Sequence, residues 1–140
     1  MLLPDLFNCL FTQECATERS YCLAMQSEGM LADLVRNLST DSIKLKMLCA
    51  NAIFRLAEED ESRNLVRMHG GLEKLVEMIK DQPSSKRDQT NMPLMAAVTG
   101  AMWKCATNNL ENVDRLQDFN VVQLLIQVWQ KLFIHSIVHE

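Results

Sequence analysis

The sequence predicts an all-α fold made of a repeated group of helices, and three observations carry that prediction. A helical pattern returns at a nearly fixed spacing, apolar residues keep a helical rather than a strand period, and breaks fall at matching places in each copy. The composition allows such a fold. With 140 residues, 48% hydrophobic and 23% charged, the chain has the balance of one ordinary globular domain, and 4 Gly and 3 Pro are too few for a collagen-like or low-complexity protein.

The repeat is visible residue by residue. Residues 47–57 (MLCANAIFRLA) match 96–106 (AAVTGAMWKCA) at an offset of 49, which sets Ala52 against Ala101, Ile53 against Met102, Phe54 against Trp103, Arg55 against Lys104 and Ala57 against Ala106. The segment from Leu65 through Gly70, Gly71 and Leu72 to Val76 has counterparts 41 residues earlier and 50 residues later, and the slip from 49 to 50 falls at Asn108-Asn109.

Taken in order, residues 1–16 fit only the last helix of a truncated unit, with a weak pattern over 6–16. Residues 17–57 form a unit of three helices, the third announced by Ser39-Thr40-Asp41, whose side-chain oxygens suit free backbone N–H groups. In that third helix Leu45, Leu48, Cys49, Ala52, Ile53 and Leu56 line one buried face, with alanines allowing close helix approach. A second unit spans 58–106, with a short helix over 62–68, a turn at Gly70-Gly71, a helix over 72–80 and a long third helix. The polar, proline-bearing stretch 81–93 (DQPSSKRDQTNMP) reads as a loop insertion between its second and third helices, a solvated loop or a docking or modification site. Residues 107–140 supply the first two helices of a partial unit. Its second helix, 121–138, is apolar around most of its circumference; Gln123, Gln127, Gln130, Lys131 and His135 make one polar stripe, too polar for a membrane span. Neither a third helix for this unit nor a polar cap at either end is visible, which fits a short isoform, a fragment or a divergent gene product and predicts exposed apolar faces.

Charge and cysteine usage narrow the function. A net charge of −4 argues against a nucleic-acid partner. The 5 cysteines, Cys9, Cys15, Cys22, Cys49 and Cys105, form no C-x-x-C pair and sit mostly among apolar neighbours, so they read as buried, reduced thiols of a reducing compartment. Met1-Leu2-Leu3 is cut short by Pro4 and Asp5 and shows no basic leader.

Three helices per unit, a period just above 40, the Gly-Gly-Leu-x-x-Leu-Val second helix and the alanine-bounded endings 52–57 and 101–106 resemble the armadillo repeat. The strings AVTGAMWKCA and LVRMHGGL, within residues 28–129, are similar to axonemal armadillo proteins that serve in outer-dynein-arm docking. The resemblance implies a right-handed α-solenoid of two nearly complete repeats between partial ones. It also implies a non-enzymatic scaffold of the cytoplasm and ciliary axoneme that helps attach outer dynein arms to doublet microtubules. Its partners would be docking-complex or dynein-arm subunits, bound through a groove of third helices and through exposed repeat ends. The alternative is a soluble adaptor of the catenin or importin kind with no axonemal role.

In armadillo proteins of the import-receptor kind an asparagine before the final apolar-Ala pair grips an extended peptide, with a tryptophan one turn earlier. Arg55 and Lys104 stand at the asparagine position here, Asn51 and Gly100 one turn earlier, so import-cargo recognition is poorly supported. Two cations in register suit an acidic partner segment, or are solvated charges on an exposed face. Trp103 is either a partner anchor or, like Phe54, a packing residue between units.

No catalytic constellation, cofactor motif or phosphate-cradling loop is present. The run Glu58-Glu59-Asp60-Glu61 reads as a solvated interhelical loop, and His69 as a turn residue. His135 and His139 share a helical face but lack a third ligand, so no metal is expected.

Overall fold

Eight helices and no strand make up the described residues of the computed structural model, which are 18–81 and 91–138. They are α1 (Arg19–Ser27), α2 (Met30–Asn37), α3 (Ile43–Leu56), α4 (Asp60–Met68), α5 (Gly71–Lys80), α6 (Asn91–Ala106), α7 (Leu110–Asp118) and α8 (Val121–Val138). The order short, short, long occurs in α1–α3 and again in α4–α6; α7 and α8 then follow as a short and a long helix. The two long helices α3 and α6 lie against each other and form the centre of the molecule, with α2 packed on α3 and α5 on α6.

That centre follows from the sequence pattern. Leu45, Leu48, Cys49, Ala52, Ile53 and Leu56 of α3 are all buried, the face that the i, i+3, i+4, i+7 spacing predicts. Across from them, α6 buries Val98, Ala101, Met102 and Cys105. Ala50, Ala52 and Ala101 have no exposed surface, and their small side chains let the helices approach closely. Burying each Leu or Ile contributes about 1.5–3 kcal/mol, so this paired-helix core supplies much of the driving force.

Turns and caps differ in detail from the sequence reading. The cap of α3 is Ser42, one residue beyond the Ser39-Thr40-Asp41 signal; its Oγ accepts from the Leu45 N–H at 3.3 Å. Helix α4 begins at Asp60 rather than Ser62, because the acidic residues Asp60 and Glu61 suit the positive end of the helix dipole. Only the first glycine of the Gly-Gly pair serves the turn. Gly70 has φ +75°, and its counterparts Gly29 (φ +73°) and Asn120 (φ +53°) repeat that left-handed conformation at the same place. Gly71 is needed for space instead: a Cβ there would lie 2.6 Å from Val66 Cγ1 and 2.9 Å from the Val66 carbonyl oxygen.

Residues 1–17, which contain the expected first partial unit, lie outside the described residues, as does 82–90 of the insertion. The insertion ends earlier than expected, since Asn91, Met92 and Pro93 already belong to α6. Pro93 is tolerated there because N–H groups of the first helical turn have no partner within the helix.

A polar ladder joins successive short helices. Ser62 Oγ on α4 donates to Gln26 Oε1 on α1 at 3.1 Å. One unit on, Arg67 Nη1 of α4 donates to Asn112 Oδ1 of α7 at 2.7 Å. These are the same pair of places: 26 and 67 are 41 apart, and 62 and 112 are 50 apart. Ser62 and Asn112 are fully buried, and Asn112 Nδ2 also donates to the carbonyl oxygens of Cys105 (2.7 Å) and Arg63 (3.0 Å). Asn109 Nδ2 donates to Asn64 Oδ1 at 2.9 Å, and Arg115 Nε donates to Glu73 Oε1 at 2.8 Å. The buried amide thus has both its oxygen and its nitrogen satisfied, the condition for a buried polar group to be tolerated.

Candidate functional site: the surface of the long helices

Spacing on α3 places Asn51, Phe54 and Arg55 on one face, with Glu58 just past its end, and the matching face of α6 carries Gly100, Trp103 and Lys104, with Thr107 just past its end. The two faces meet. The Phe54 and Trp103 rings lie 6.3 Å apart with their planes tilted by 33°, a distance at which offset aromatic rings attract. Gly100 faces Phe54, and a Cβ there would sit 3.6 Å from the ring, an ordinary van der Waals contact. The Lys104 ammonium lies 5.6 Å from the Phe54 centroid and 5.4 Å from that of Trp103, and it pairs with Glu58.

The sequence-predicted residues therefore divide. Trp103 is 64% exposed although it touches Phe54, so it packs between long helices and still presents most of its surface outward. Lys104 keeps only 16% of its side chain exposed and is held by Glu58 and the two rings. Arg55 is exposed, and Asn51 is half-buried beside it. Arg55 also lines an open depression with Arg19, Cys22, Glu58, Glu59, Asp60 and Glu61. Two arginines against four carboxylates leave that rim acidic, so the neighbourhood of Arg55 is mixed in charge rather than basic.

The acidic run is solvated as expected at Glu58, Asp60 and Glu61, and Glu58 and Glu59 lie between α3 and α4, but three of its four residues also form ion pairs. Glu59 binds Arg19 at 2.9 Å, Glu58 binds Lys104, and Asp60 binds Arg63, whose side chain is buried and whose Nη1 donates to the Ala57 carbonyl oxygen at 3.1 Å. Only the Asp60–Arg63 pair was readable, from its i, i+3 spacing; the others join separate helices. His69 is exposed at the end of α4, as a turn residue should be.

Among the described residues Cys22, Cys49 and Cys105 are buried, while Cys9 and Cys15 lie outside them; burial favours the protonated thiol at Cys22 and Cys105. Cys105 is pushed up to about 12 by loss of water, against a smaller opposing pull from Arg63. Cys22 is raised by burial and further by Glu59 and Glu58. Neither has the thiolate character that nucleophilic or metal chemistry needs. Among the described residues no group of three or more His, Cys, Asp or Glu side chains is placed to hold a metal, and no helix is long and apolar enough to cross a membrane. The His135 side chain and His139 lie outside the described set.

The described residues thus form an all-helical body whose paired helices α3 and α6 present an aromatic and charged surface. The chain is 39% identical over 116 residues to the armadillo repeat-containing protein gudu of Drosophila melanogaster, a match covering 81% of this chain and 17% of that protein. It is 38% identical over 126 residues to outer dynein arm-docking complex subunit 2 of Bos taurus, and likewise to that of Mus musculus, covering 90% of this chain and 11% of each relative. The resemblance to armadillo proteins of outer-dynein-arm docking is thus borne out over most of the chain. The chain spans 11% to 17% of the length of these curated relatives. No family model matches it.

Proposed function

We propose that this chain is a non-enzymatic protein-binding scaffold of the ciliary axoneme. In this reading its helices are an armadillo-type right-handed solenoid. Its units are 17–57 and 58–106, flanked by partial repeats at 1–16 and 107–140. The third-helix surface, with Asn51, Arg55, Trp103 and Lys104, receives a segment of a docking-complex or dynein-arm subunit and so helps hold outer dynein arms to doublet microtubules. The name of the bovine and mouse relatives supports that address.

One observation carries the binding surface: Trp103 is held in place by Phe54 and Lys104 yet remains 64% exposed. A large aromatic held rigid before binding loses little freedom on contact, which favours its use as an anchor. Beside it Arg55 offers a planar set of donors, and the carboxylates around Arg55 favour a partner segment carrying both signs of charge. The test is the tagged chain expressed in multiciliated cells, with axonemal retention and co-purification of docking-complex subunits as readouts. Trp103→Ala with Arg55→Glu should abolish both while the circular-dichroism spectrum and melting temperature stay the same. Axonemal retention by the double variant would refute the surface assignment. A wild-type chain that stays in the cytoplasm and binds isolated peptides would favour the adaptor alternative.

A further inference from the structure

We draw no further inference here: the strongest candidate, the open depression between α1, α3 and α4 where Arg19, Cys22 and Arg55 meet the carboxylates of residues 58–61, is an acidic cluster whose Glu58, Glu59 and Asp60 already pair with Lys104, Arg19 and Arg63, and nothing in the structure shows what would enter it.

Discussion

Two adjacent glycines do different work, and their substitutions should separate. At Gly70 the backbone is left-handed, so Gly70→Ala should lower stability by about 1 kcal/mol or more. Gly70→Asn should lower it less, since Asn120 holds the same conformation at the matching place. At Gly71 the backbone is ordinary and the space is not. Gly71→Ala must push on Val66 side chain and backbone together, with a loss of about 1–3 kcal/mol. Urea unfolding of the three variants decides it, and a harmless Gly71→Ala would mean that Val66 moves freely. A second prediction concerns Cys105. Its pKa in the folded state is about 12, above the ordinary thiol value of 9.0. Between those two values the unfolded chain loses the proton while the folded chain keeps it, so stability is unaffected below the lower value and falls as pH rises toward the upper. A Cys105→Ala variant, whatever its stability at neutral pH, should lose less of it over that interval.

Among elements, the link between α4 and α7 differs in kind from that between α3 and α6. The first depends on Asn112, whose replacement by an apolar residue would remove its bonds to Arg67 and to the carbonyl oxygens of Arg63 and Cys105, although Arg67 would keep Glu111. Asn112→Leu should therefore cost about 2–4 kcal/mol. A double cycle with Arg67→Ala should show strong coupling, whereas simple addition of the two losses would mean that the pair does not act together. This link was hidden in the sequence because its partners lie 45 residues apart, and nothing in helical periodicity marks Asn112 as buried. By contrast the buried face of α3 was legible, since its signal lies within one helix. The start of α6 was not: Pro93 reads as a breaker unless its place in the first turn is known. At the candidate site the 49-residue offset sets Arg55 against Lys104. Their different fates turn on Glu58, which reaches Lys104 on a neighbouring helix and not Arg55 one turn away.

For the whole molecule, stability should fall from the centre outward. Helix α5 buries six residues, whereas α7 buries only Asn112 and Leu116. Amide exchange should accordingly be slow in α3, α5 and α6 and faster in α7, and equal protection throughout would mean that the chain opens as a single unit.

The ladder of Gln26 with Ser62 and Arg67 with Asn112 bears on how such a chain could evolve. The matching places carry different chemistry at each junction, an amide with a hydroxyl at one and a guanidinium with an amide at the next. Copying a unit end to end would set Arg67 of one copy against Ser62 of the next, without the amide that holds it here. A chain extended by duplication would need its junctions matched in pairs, each side suited to the other. The succession of units is therefore recorded in their contacts as well as in the order of the genetic text, and transplanting one unit between relatives would require carrying both halves of a junction together.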